Sequence, residues 1–173
     1  VEVMGRHSGW IAVHAGIAGG ADLILIPEHQ TTIVDIVQTI KMRHDRGKDF
    51  SIVVVAEGVK FESDEYVVQE SGTDEFGHVK LGGVGQLVGD VIEKETGFET
   101  RVTVLGHLQR GGTPTAFDRV LGTRYGISAI DLVHSQDWGK MVALQGNDIK
   151  AVPLDQGIGE VKMVGPDLYD IAR

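Results

Sequence analysis

The chain has 173 residues, 42% hydrophobic and 24% charged, with no cysteine and a formal net charge of −9. These are the proportions of a globular chain, and the missing cysteines exclude a disulfide scaffold and a thiolate zinc site and fit a reducing cytoplasm. The acidity argues against general binding to nucleic acid or anionic membranes, no apolar run reaches the ~20 residues of a membrane span, and no basic segment opens the chain as in a signal peptide. Glycine is unusually frequent, 24 of the residues, about twice the usual ~7%. The chain starts at Val1, in what reads as mid-strand, so a fragment of a longer protein is expected.

In chain order, residues 1–4 (VEVM) read as the tail of a strand, followed by a loop at 5–9 (GRHSG). Residues 10–18 are small and apolar at helical spacing, closed by Gly19-Gly20, a C-terminal cap signal. Residues 22–27 (DLILIP) are a continuous apolar run, as expected of a strand buried on both faces. Thr31 or Thr32 caps a helix carrying Ile33, Val34, Ile36, Val37 and Ile40, with Asp35 in its start and a basic turn at 41–46 that suits the helix dipole. Residues 51–56 (SIVVVA) form a second buried strand, and the polar, acidic stretch 60–80 reads as an inserted hairpin.

Helical spacing resumes over 82–95, and 101–105 (RVTVL) is a third apolar run expected as a strand. A glycine-rich loop covers 106–114, and a long helix covers 117–133. Residues 140–144 and 148–152, separated by Gln145-Gly146-Asn147, read as a hairpin. Short helices are expected at 154–161 and 167–172. Strands alternating with helices of 10–15 residues predict an α/β fold with an open, mostly parallel, three-layer sheet.

In such sheets ligands bind beyond the carboxyl ends of the strands. Arg6 follows the first apolar run, Glu57 follows SIVVVA, and His107 and Arg110 follow RVTVL, among glycines that let backbone N–H groups approach a ligand. Two arginines and a histidine suit a phosphate, and a single carboxylate among them suits sugar hydroxyls. A lone loop arginine is commonly a solvated charge, so it is the joint placement of four such residues that favours a sugar phosphate. Arg101 opens the strand that ends at His107, about 20 Å away at ~3.3 Å per residue. It is therefore either a surface charge or a residue serving a neighbouring subunit. No Walker-type or GxGxxG glycine motif is present, which opposes a generic nucleotide-binding domain, and there is no obvious carboxylate pair for Mg²⁺.

Residues 101–119, RVTVLGHLQRGGTPTAFDR, resemble the 6-phosphofructokinase signature of a basic residue, four spacers, GHxQRGG, five spacers and Asp-Arg. Met4-Gly5-Arg6-His7-Ser8-Gly9 resembles that family's MGR-x-x-G loop, and 15–22 (AGIAGGAD) and 54–58 (VVAEG) fit in order and spacing. The resemblance covers essentially the whole chain and corresponds to the C-terminal half of the enzyme.

The resemblance implies a two-lobe architecture truncated at the N-terminus. Residues 1–108 would form a fructose 6-phosphate lobe, 109–157 part of a phosphoryl-donor lobe, and 158–173 a return to the first lobe. Met4, Gly5, Arg6, Glu57, His107 and Arg110 would contact fructose 6-phosphate. Arg101 would reach the 6-phosphate held by an adjacent subunit, which implies a homo-oligomer, a dimer or tetramer. A nucleoside diphosphate effector would meet Gly20, Asp22, Arg46 and Lys48, where Asp22 and Arg46 preserve the family's charges and Phe50 replaces its histidine. The added stretch 70–87 resembles the branch that mixes ATP-dependent and pyrophosphate-dependent enzymes. Mg²⁺ with ATP or pyrophosphate, the catalytic base and the metal ligands would all belong upstream of Val1, so that Arg6 alone here would stabilise transferring charge. The competing reading is a regulatory subunit that binds sugar phosphate without catalysis.

Overall fold

The computed structural model describes residues 1–61 and 83–172; the expected hairpin at 60–80 and most of the added stretch 70–87 lie outside the described residues. In chain order the elements are β1 (Glu2–Val3), α1 (Trp10–Gly19), β2 (Leu23–Leu25), α2 (Ile33–Asp45), β3 (Val53–Ala56) and α3 (Val84–Thr96), then a 3₁₀ turn over Gly106–Arg110. There follow α4 (Ala116–His134), β4 (Lys140–Gln145), β5 (Asp148–Pro153), α5 (Leu154–Ile158) and α6 (Pro166–Ile171). Their contacts divide into two units, Val1–Arg110 with Lys162–Arg173, and Gly111–Val161. Among the described residues no helix is long and apolar enough to cross a membrane.

The first unit is built on a parallel sheet of order β1-β3-β2, in register through Val3↔Ala56 and Leu25↔Val55. The chain crosses from β1 to the far edge and then returns to the middle. With both crossovers right-handed, α1 and α2 lie on opposite faces, and α3 packs beside α2. Valine, isoleucine and leucine fill the strands because both faces are covered. Leu25, Val55, Ile24 and Val54 are all buried, each contributing on the order of 1.5–3 kcal/mol. The small residues of α1 let it approach closely: a β-carbon at Gly16 would land on the side chain of Ile24. Gly20 closes α1 at φ 68°, in the left-handed region that glycine adopts without steric cost.

Side chains set the helix starts. Thr32 is the cap of α2: its Oγ1 accepts the Asp35 N–H at 3.1 Å, and Asp35 Oδ2 accepts the Thr32 N–H at 3.2 Å. A carboxylate three residues after the cap closes this reciprocal box, which selects Thr32 over Thr31. The same box, Thr115 with Asp118, starts α4 at Ala116, one residue earlier than the periodicity suggests. The start of α3 is capped from a distance. Glu2, only 3% exposed, accepts the N–H groups of Gly83 at 3.1 Å and Gly85 at 2.8 Å.

Two expected elements differ. The run 101–105 is not a full strand: it meets β1 through one parallel bridge, Glu2↔Val104, with Glu2 N–H to Thr103 O at 2.9 Å and Leu105 N–H to Glu2 O at 3.1 Å. It lies at the sheet edge beside a two-residue strand, and Val104 is 56% exposed, so only one rung of ladder forms. The helix expected over 154–161 stops at Ile158, before Gly159, as glycine's poor helix propensity favours.

The second unit packs α4 on the antiparallel hairpin β4–β5, whose turn places Gly146 at φ 63°. None of the residues of α4 is buried. Phe117, Val120, Ile127 and Ile130 are exposed.

Candidate functional site

Parallel pairing brings the carboxyl ends of β1 and β3 side by side. The Glu57 N–H reaches Val3 O at 2.9 Å, so the loop after β1 and the residue after β3 leave the sheet together. Glu57 Oε1 then accepts the Gly5 N–H at 3.2 Å and the Arg6 N–H at 2.9 Å. The turn is tight. Gly5 has φ 155° and Arg6 φ 49°, the latter a left-handed conformation uncommon for residues other than glycine. Ser8 closes the turn with its N–H on Gly5 O at 3.0 Å.

The third loop enters through Gln109. Its Oε1 accepts the Met4 N–H at 3.2 Å, and its Nε2 donates to Gly106 O at 3.1 Å. Met4, Gly5, Glu57 and the 106–110 turn are thereby held in one cluster. Arg6, His107 and Arg110 are exposed at its rim. Among the described residues neither Arg6 nor Arg110 has a carboxylate partner, and Glu57 Oε2 accepts no hydrogen bond. The cluster therefore offers two uncommitted guanidinium groups, an imidazole and one carboxylate oxygen. That set can hold an anion in bidentate fashion and accept a hydroxyl proton.

Arg101 stands elsewhere. Its Nε and Nη2 bind Glu99 Oε1 at 3.0 and 2.9 Å, and it lines a cavity of about 710 Å³ with Val1, His44, Lys48, Phe50 and Val53. Val1 and Val53 mark the amino ends of β1 and β3, so Arg101 faces the end of the sheet opposite the Arg6 cluster. The four effector candidates are likewise spread out. Gly20 is the cap of α1 and Arg46 the cap of α2. Lys48 lines the cavity with Arg101. Asp22 pairs with Arg43 at 2.5 Å and accepts the Ile52 N–H at 2.8 Å, on the border of a second cavity with His29 and Tyr169.

Three residues that hold these segments in place were given no role by the sequence. Gln109 is the glutamine of the GHxQRGG motif, between two residues already singled out. Glu2 acts only through distant amides. Glu28 accepts the Gly9 N–H at 3.0 Å and the Val164 N–H at 3.0 Å, tying the end of the Arg6 loop to the returning C-terminal segment. Beside it the Trp10 Nε1–H donates to Lys162 O at 2.7 Å. Among the described residues no group of three or more His, Cys, Asp or Glu side chains could hold a metal ion.

The Phosphofructokinase family profile matches residues 1–133. A pyrophosphate–fructose 6-phosphate 1-phosphotransferase of Streptomyces coelicolor is 51% identical over 170 residues, covering 98% of this chain and 49% of that protein. An ATP-dependent 6-phosphofructokinase of Mycobacterium leprae is 48% identical over 172 residues, covering 99% of this chain and 50% of that protein. The crystal structure of Pichia pastoris phosphofructokinase superposes with a TM-score of 0.71 at 36% identity, over 91% of this chain and 17% of that one. The chain thus spans about half the length of the curated relatives it matches.

Proposed function

The chain belongs to the phosphofructokinase family, and from that premise we propose that it is the substrate-binding half of an enzyme that phosphorylates fructose 6-phosphate to fructose 1,6-bisphosphate in cytoplasmic glycolysis, with ATP as donor. The observation that carries this reading is the cluster at the carboxyl ends of β1 and β3, where Glu57 and Gln109 hold the Arg6 loop by its backbone. Arg6 and Arg110 grip phosphate oxygens as bidentate forks. His107 adds a donor, and Glu57 Oε2 accepts a sugar hydroxyl while its Oε1 stays on the backbone. Residues 109–157 contribute to the lobe that binds the phosphoryl donor, and 158–173 return to the sugar-phosphate lobe. Arg101, remote from this cluster, serves the sugar phosphate of a neighbouring subunit in a homo-oligomer, and Gly20, Asp22, Arg46 and Lys48 serve a nucleoside diphosphate effector.

Transfer to the sugar 1-hydroxyl depends on positioning and charge neutralisation. Arg6 supplies a positive charge at the transferring group. The described residues gather no group of three or more His, Cys, Asp or Glu, and no step through a metal is assigned to them. The isolated chain is expected to show no turnover. Pyrophosphate as donor is the second reading, supported by the 51% identical relative named for that donor.

The test is fructose 6-phosphate binding measured by calorimetry. Arg110→Ala and Arg6→Ala should each weaken it about tenfold or more, the loss expected when a charged hydrogen-bond donor is removed. Unchanged affinity in both variants overturns the site.

A further inference from the structure

We infer that Gln109 is a positioning residue: its amide fixes the Arg6 loop against the His107–Arg110 turn, so that one side chain sets the separation of the two cationic arms. The inference rests on the sugar-phosphate reading above and adds a residue that makes no contact of its own with the ligand.

Three successive backbone N–H groups, those of Met4, Gly5 and Arg6, are each held by a side chain from another segment. Gln109 takes the first, and Glu57 takes the next two. Glu57 anchors the loop to β3. Among the described residues, only Gln109 hydrogen-bonds it to the third loop, through residues 105 positions apart. The bolt needs both ends of the amide, with Oε1 accepting from Met4 and Nε2 donating to Gly106 O. The reversed amide would set donor against donor and acceptor against acceptor, so the orientation is fixed by its partners. Met4 and Gln109 are both half-buried, where an unmade backbone hydrogen bond is costly. A methionine fills the same volume and makes neither bond. A glutamate makes both only when protonated: its carbonyl oxygen accepts from Met4 and its O–H donates to Gly106 O. When ionised it turns a second acceptor on that carbonyl, and the repulsion drives the side chain off the turn, so that Met4 loses its acceptor too.

The experiment uses the full chain, with two readouts on Gln109→Met and Gln109→Glu. These are hydrogen-exchange protection of the Met4 amide and affinity for fructose 6-phosphate, each relative to the parent chain at the same pH. At neutral pH both variants should lose Met4 protection and bind about five- to tenfold more weakly, the scale of one lost hydrogen bond. As pH falls through the titration of the new carboxyl group, Gln109→Glu should regain both, while Gln109→Met should regain neither. Recovery of Met4 protection separates restored geometry from mere loss of a negative charge near the arginines.

Retained Met4 protection in Gln109→Met, or unchanged affinity despite its loss, overturns the inference, as does the absence of recovery in Gln109→Glu. If Gln109→Met does not fold, the pH series on Gln109→Glu decides alone. If the parent chain binds no fructose 6-phosphate, the functional reading falls, and the Met4 exchange series still decides whether Gln109 bolts the loops.

Discussion

The carbonyl oxygen of Arg6 occupies the space that a β-carbon on residue 58 would need. Gly58 lets the Arg6 loop lie flat against the end of β3, and Glu57, its neighbour, fastens the same loop by two N–H groups. One dipeptide thus provides both the room and the anchor for a left-handed arginine at φ 49°.

Gly58→Ala should therefore force the Arg6 loop away from β3. Overpacking of this kind costs about 1–3 kcal/mol. Urea denaturation should show that loss, and the Arg6 and Gly5 amides should exchange faster than in the parent chain.

Glu57 separates anchoring from charge. Glu57→Gln keeps an oxygen for the Gly5 and Arg6 amides, so stability should change little. Glu57→Ala leaves two N–H groups without their partner and should cost about 1–3 kcal/mol. If the carboxylate serves the sugar, both variants should bind fructose 6-phosphate more weakly, although only Glu57→Ala unfolds earlier in urea.

Asp118 should give the start of α4 a dependence on acid. The Thr115 backbone N–H, and then the Thr115 hydroxyl, hold its carboxyl below the ordinary value of 3.8. A carboxyl lowered in the folded state adds stability above its unfolded pKa and loses it as pH falls through the folded one. Fraying of α4 is therefore expected only below about pH 3.8. An NMR titration should place the Asp118 midpoint under that value, and Thr115→Ala should raise it.

The apolar face of α4, with Val120 59% and Ile127 60% exposed, should bind a hydrophobic dye. Large exposed apolar patches behave this way. Val120→Lys with Ile127→Lys should reduce the fluorescence and leave the thermal midpoint nearly unchanged. A dye signal that survives both substitutions would place the exposed surface elsewhere.

Much of this was legible in the sequence because burial writes itself into composition. Runs such as LILI and VVVA are apolar at every position, which only a strand covered on both faces requires. The separation of Arg101 from His107 followed from the reach of an extended run alone. The run RVTVL looked the same as the buried strands, but it lies at an edge, and periodicity cannot tell the two apart. Glu2 and Glu28 were silent, and the motif that contains Gln109 did not name its partner, for another reason. Their partners are backbone amides, identical at every position, and lie up to 136 positions away. A carboxylate that caps a distant helix leaves no local pattern.

The two-residue strand β1 pairs with β3 on one side and with Val104 on the other. The residues of β1 are made before either partner and are thus among the last to complete their pairing. The Arg6 loop cannot close until the turn carrying Gln109 has been made, 105 positions later. Such long-range closure slows folding, and until then the strand edges stay unpaired and open to wrong pairing. The first and third loops of the candidate site become neighbours only late in the history of each molecule.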